Sequence, residues 1–188
     1  MILNWPDHLI IKSVDIINNV SAVSSESRNK KILNRTLSGQ RFDLNMRIDI
    51  APWNTKKASG FLFSLQDDDV FVEYTDVDWV GTASNTTSVG GASKGARDIE
   101  LASVANLNAG DWVNFGGHDK LYKILYLVGN TITLNTNLLE TVSNGEVVEL
   151  ENPKILLELA PDLKQSTTFS SRLHRDLSRF NLRMVEAL

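Results

Sequence analysis

The sequence predicts a mainly β protein with one short helix, built as a split β framework that carries an inserted small β domain. Three observations predict it. Phe42 to Ile50 alternates apolar and polar residues without a break, as a strand with one buried and one wet face does. The C-terminal stretch Phe180 to Glu186 alternates in the same way as far as Met184-Val185, and a terminal strand with an apolar face needs a sheet to join. The N-terminal sheet is the expected partner, so the chain leaves its first domain and returns to finish it. Between them, from Thr75 to Asn152, Gly and small polar residues punctuate short β segments at regular intervals, the pattern of a small barrel or sandwich.

The elements run in order along the chain. Ile10 to Ile17 reads as a first strand. Asn18 to Asn34 is polar, rich in Asn, Ser and Lys, and reads as a long loop or arm with a short strand near Val20–Val23. Leu33 to Leu37 begins the next strand, and Ser38-Gly39-Gln40 is its turn or bulge. After the strand Phe42–Ile50, Ala51-Pro52 ends the pairing, because proline lacks a ladder donor. Asn54 or Thr55 is a helix cap, and Ala58, Phe61, Leu62 and Leu65 fall at helical spacing, which predicts a helix over about 54–66. Gly60 weakens that helix. Val70 to Tyr74 is another strand.

In the inserted segment, Val80–Ala83 is expected as a strand and Ser88–Ala96 as a loop. Further strands are expected at Ile99–Ala102, Trp112–Phe115, Leu121–Val128, Thr131–Leu134 and Glu146–Leu150. Turns at Asn108–Asp111, Gly116–Asp119, Gly129-Asn130 and Ser143–Gly145 separate them. Pro153 marks the exit, Lys154–Leu159 is a strand, and Pro161–Ser171 is a polar loop. Arg172–Arg179 fits no element, and the terminal strand closes the chain. The domains are therefore 1–74 with 153–188 for the split framework, and 75–152 for the insertion.

Composition narrows the function classes. The 188 residues are 42% hydrophobic and 22% charged, an ordinary globular balance. A net charge of -4 offers no electrostatic footprint for duplex nucleic acid. Without cysteine there is no disulfide framework, thiolate zinc site or cysteine nucleophile. Met1 to Asp7 lacks the features of a signal peptide, and the longest apolar runs, such as Ile155-Leu156-Leu157, are too short to span a bilayer. Neither nucleic-acid binding nor membrane insertion is expected.

Candidate chemistry is sparse. Gly90 to Arg97 is Gly-rich with two basic residues, but it lacks the Gly-Lys-Ser/Thr order of a phosphate-binding loop and leads into a β segment. It reads as a flexible hairpin or connecting loop. Asp67-Asp68-Asp69, with Asp76 and Asp78, does not match a helix-loop-helix calcium site and reads as a solvated helix exit. His8, His118 and His174 are scattered, and His118, in a turn beside Asp119, is expected to be exposed. No Gly-x-Ser-x-Gly elbow is present. Glu100, Glu140, Glu146, Glu149, Glu151 and Glu158 fall on expected strand or turn surfaces and define no hydrolytic pair. Trp112, Phe115, Tyr122 and Tyr126 cluster in the insertion. They read as core filling, with an exposed Trp112 as the alternative, since it shares a face with Asn114 while Val113 and Phe115 share the other. No catalytic, cofactor-binding or metal-binding residue is assigned.

Several segments, taken in order, resemble the distal tail proteins of tailed bacteriophages. Thr36 to Leu44, with its Gly39-Gln40-Arg41-Phe42 run, is similar to their early strand, and Ala51-Pro52 with a short helix is similar to the next part of those proteins. Gly95–Ile99, Leu107–Val113 and Lys120–Ile124 look like their inserted barrel, and Phe180 to Leu188 resembles their closing strand. The resemblance implies a split β-sandwich or barrel belt domain and an inserted, oligonucleotide/oligosaccharide-binding-like barrel. It implies a non-enzymatic virion component without cofactors, a homo-oligomer in a six-fold ring at the tail tip or baseplate hub, assembled in the host cytoplasm. The implied partners are the tail tube protein, the hub protein, and fibre or receptor-binding proteins. Rival readings are a carbohydrate-binding module resting on Trp112, a cell-envelope hydrolase, and a different tail position such as a terminator or wedge component.

Overall fold

A computed structural model describes residues 1–19, 22–26, 32–36, 40–67, 70–164 and 178–187. The protein is mainly β and divides into two compact units, Met1–Glu73 with Leu156–Ala187 and Tyr74–Ile155. Each is built around its own core.

The first unit holds strands β1 (Ile2–Asn4), β2 (Leu9–Asn19), β3 (Ala22–Glu26), β4 (Ile32–Thr36), β5 (Arg41–Ile50) and β6 (Phe71–Tyr74), and from the distal part of the chain β13 (Ile155–Leu159) and β14 (Ser178–Glu186). Six of these form one sheet in the order β1-β6-β13-β14-β5-β2. The C-terminal strand therefore lies inside the sheet, antiparallel to β5 on one side and to β13 on the other. Its register sets Met184 opposite Leu44, Leu182 opposite Met46 and Phe180 opposite Ile48. The apolar phase of two strands far apart in sequence thus coincides on one face, where Leu44, Met46, Ile48, Leu182 and Met184 are all buried.

The opposite face of β5 departs from the expected wet face. Arg47 is exposed, yet Asp43 and Asp49 are buried. The Asp43 Oδ2 accepts a hydrogen bond from Arg183 Nη2 at 2.8 Å, and Arg41 Nε stands 3.8 Å from Oδ1. That hydrogen bond from Arg183, and the charge of Asp43, hold the guanidinium in its ionised form, above the usual arginine value. Glu186 is also fully buried, and its Oε2 accepts the Phe42 backbone N–H at 3.1 Å. A carboxylate from the last strand thus satisfies a backbone donor at the start of β5.

Helix α1 (Thr55–Ser64) continues from a single 3-10 turn at Pro52–Asn54 and stops two residues short of the expected end. Ala58, Leu62 and Leu65 are buried, and Phe61 meets Trp5 edge to face at 5.9 Å. A second, four-residue helix, α2 (Pro161–Lys164), replaces the start of the expected polar loop. Pro161 sits at its first position, where a missing N–H costs nothing. The rest of that loop from 165, Arg172 to 177, and Ser38-Gly39 lie outside the described residues.

The second unit is a closed barrel of strands β7 (Thr86–Val89), β8 (Asp98–Leu101), β9 (Trp112–Phe115), β10 (Tyr122–Val128), β11 (Thr131–Leu134) and β12 (Val147–Glu149). They run in the order β10-β11-β8-β7-β12-β9, with every pairing antiparallel. Alternation fills the interior with Ile99, Leu101, Val113, Phe115, Tyr122, Ile124, Ile132, Leu134 and Val148. Val80–Ala83 is not a strand: a 3-10 turn at Val77–Trp79 leads into bends, and the strand begins at Thr86. β7 also takes Ser88 and Val89 from the expected loop.

The Gly-rich segment is a connection clamped along its length, not a free loop. Ala92 and Val142 exchange backbone hydrogen bonds, and the Gly95 N–H donates to the Leu138 carbonyl. Gly91 has φ +70, and a Cβ there would stand 2.8 Å from the Val142 carbonyl oxygen. Gly90 has φ +73 but open space around it. Gly91→Ala is therefore expected to cost about 3 kcal/mol of barrel stability, and Gly90→Ala about 1 kcal/mol, in chemical denaturation. Equal losses would contradict the steric account.

Candidate assembly surfaces

β2 lies at one edge of the first unit's sheet and pairs with β5 alone among the named strands. It is eleven residues long. An edge of that length presents a row of backbone donors and acceptors on its outer side, a template for a further strand. A register shift between Ile11 and Ser13, with Lys12 in it, guards only the first part of the edge. From Ser13 to Asn19 the pairing with β5 is regular. Ile10, Ile16 and Ile17 on this strand are exposed. The opposite edge is β1, where Met1 and Ile2 are exposed and the strand runs parallel to β6.

β3 and β4 form a separate two-stranded ribbon, paired from Ala22 with Thr36 to Glu26 with Ile32. The strands near Val20–Val23 and Leu33–Leu37 expected in the polar segment are the ones found, displaced by one to three residues. In chain order the ribbon sits between the end of β2 and the start of β5. Two strands without a third are marginal in water, so such a ribbon gains most from a surface to lie on.

In the barrel, the aromatic cluster divides by face. Phe115 and Tyr122 fill the core, 5.7 Å apart edge to face, and the Tyr122 hydroxyl accepts the Leu139 N–H at 3.1 Å. Trp112 points outward, so core filling fails for it. It is half-buried between Trp79, at 5.5 Å, and the Lys123 ammonium, 4.7 Å above its ring. Trp79 in turn meets Tyr74 edge to face at 5.5 Å. Burial, and the hydrogen bond that the Tyr74 hydroxyl donates to Asp76, push that phenol above its ordinary value. Tyr126, by contrast, is exposed on the barrel wall.

His118 is buried, not exposed. The turn after β9 folds inward, and the imidazole packs 5.5 Å from the Phe115 ring with Nε2 3.5 Å from Glu146 Oε1. Among the described residues the buried Nε2 of His8 has no hydrogen-bond partner, and His174 lies outside them. Asp76 accepts hydrogen bonds from Tyr74 and from the Asp78 N–H, while Asp68 and Asp69 lie outside the described residues. Among the described residues no cluster of three His, Asp or Glu could hold a metal ion, and no helix is long and apolar enough to cross a membrane. Glu146 and Glu149 cap turns: Glu146 Oε2 accepts the Ser143 N–H at 2.7 Å, and Glu149 Oε1 accepts the Asn152 N–H at 3.2 Å. No protein-family model matches the chain, and no curated protein is significantly similar to it.

Proposed function

We propose that this protein is a structural component of a bacteriophage tail tip or baseplate, a ring that joins the tail tube to the central hub and peripheral fibres. The carrying observation is the β2 edge. It is long, regular from Ser13 to Asn19 and flanked by exposed isoleucines, and it leads directly into the β3–β4 ribbon. A sheet with two unlike edges adds neighbours head to tail, and head-to-tail contacts close into rings when the rotation permits. The opposite edge, β1, is the unlike partner such a contact requires. The sequence resemblance to distal tail proteins supplies the biological setting, and the split first unit with its barrel insertion fits it.

Charging the edge tests the reading. Ile10 and Ile17 are exposed and pair across the sheet with Asp49 and Asp43, so lysines there are compatible with the folded monomer. Sedimentation velocity of the wild-type protein is expected to show a closed oligomer, and Ile10→Lys with Ile17→Lys to move the population to monomer with an unchanged circular dichroism spectrum. An oligomer of the same mass in both proteins would refute the edge contact.

A further inference from the structure

Two surfaces on different units expose large apolar side chains beside charged ones. The first is the outer face of α1. Trp53, Lys56, Lys57, Gly60 and Phe63 recur at helical spacing along it. Trp53 is 82% and Phe63 58% exposed. The helix carries no acidic residue, and two lysines in its first turn oppose the helix dipole. Gly60 lies mid-helix with nothing within 4 Å of where a Cβ would stand. Among the described residues nothing requires a glycine there, and it weakens the helix. A bare position between two exposed aromatic rings lets another surface approach the helix backbone closely.

The second surface is the outer wall of the barrel across β7, β8, β11 and β10. The registers align Val89, Glu100, Thr131 and Val128 in one lateral row. The next row aligns Asp98, Thr133 and Tyr126. Side chains paired in this way point to the same side of the sheet, and here that side is the one away from the core. Tyr126 is 65% and Val128 75% exposed. Asp98 accepts a hydrogen bond from Thr133, and among the described residues neither Asp98 nor Glu100 meets a cation.

One face carries two exposed aromatic rings and two lysines with no ion pair among the described residues, and the other carries exposed Tyr126 and Val128 beside two carboxylates that meet no cation there. We propose that the α1 face of one copy docks on the β7-β8-β11-β10 barrel wall of a second copy, with Trp53 and Phe63 against Tyr126 and Val128, and Lys56 and Lys57 facing Asp98 and Glu100. The contact is heterologous, so it closes into a ring when the rotation permits. It rests on the ring reading above and specifies a second contact within it, separate from the β2 edge.

Charge reversal in both directions tests it in the intact 188-residue chain. Four proteins are compared by native mass spectrometry and sedimentation equilibrium: wild type, Lys56→Glu/Lys57→Glu, Asp98→Lys/Glu100→Lys, and the combined fourfold variant. Each double reversal is expected to weaken association roughly tenfold or more, and the fourfold variant to recover most of that loss. Gly60→Leu, which has open space in the monomer, is expected to leave the melting temperature within a few degrees of wild type or above it while weakening association. Closed oligomers that persist in both double reversals would overturn this contact and leave the ring reading standing. Dissociation of the doubles without recovery in the fourfold variant would also overturn it. A wild-type protein that stays monomeric at every concentration would overturn both.

Discussion

Met184→Asp is expected to unfold the first unit. Met184 is buried at the centre of the six-stranded sheet, opposite Leu44 on β5 and Leu159 on β13. A carboxylate there would have no cation within reach on the apolar face and would be taken out of water without compensation. The cost is on the order of 4 kcal/mol or more, comparable to the whole stability of a small domain. Hydrogen exchange read by mass spectrometry gives the outcome region by region. Amides of β5, β13 and β14 are expected to lose protection, and those of β8 and β11 to keep it. Retained protection in β5 would mean that the C-terminal strand is not integral to the sheet.

The second large effect concerns the barrel. Tyr122→Ala is expected to cost about 3–5 kcal/mol, because the ring is fully buried against Phe115 and its loss leaves a cavity in a small core. Tyr122→Phe separates packing from hydrogen bonding. It keeps the ring and removes the acceptor for the Leu139 N–H, which is expected to cost about 1 kcal/mol. Urea denaturation of the two variants reads both values. A Tyr122→Phe loss as large as that of Tyr122→Ala would show that the hydroxyl, not the ring, anchors this corner of the barrel.

What the sequence reveals and what it hides have physical causes. Strands that alternate over many residues, such as Phe42–Ile50, or that are bracketed by Gly turns, such as Thr131–Leu134, are legible because period and punctuation are local properties. The return of Phe180–Glu186 to the first sheet is legible because an apolar strand face needs a cover. β7 is not, since Thr86-Thr87-Ser88-Val89 has no apolar phase and becomes a strand only through its pairing with β8 and β12. Barrel closure by β12 between β7 and β9 is likewise a long-range fact. Asp43 and Asp49 read as wet-face residues, because alternation reports the phase of a strand and not what covers its polar side. Arg183, 140 positions away in sequence, is what covers Asp43. His118 reads as exposed from its turn, yet the turn folds over Phe115, a ring contact that spacing does not encode.

The candidate surfaces are less legible than the fold. Exposure of Ile10, Ile16 and Ile17 comes from β2 being an edge, and strand order is not written in any single segment. Trp112, the residue on which a carbohydrate-binding reading rests, is partly covered by Trp79 and Lys123. That leaves Tyr126 as the open aromatic of the cluster on the barrel wall. The resemblance to distal tail proteins supplies the tail-tip setting of the proposal, through motif order, and the outer edge of β2, whose other side pairs with β5, supplies the ring contact.

Negative-stain electron microscopy of the purified protein tests the proposed assembly most directly. Head-to-tail docking through the β2 edge predicts closed rings of one diameter and a single rotational symmetry, six-fold by resemblance. Solitary particles at every concentration, or open filaments that never close, would contradict it.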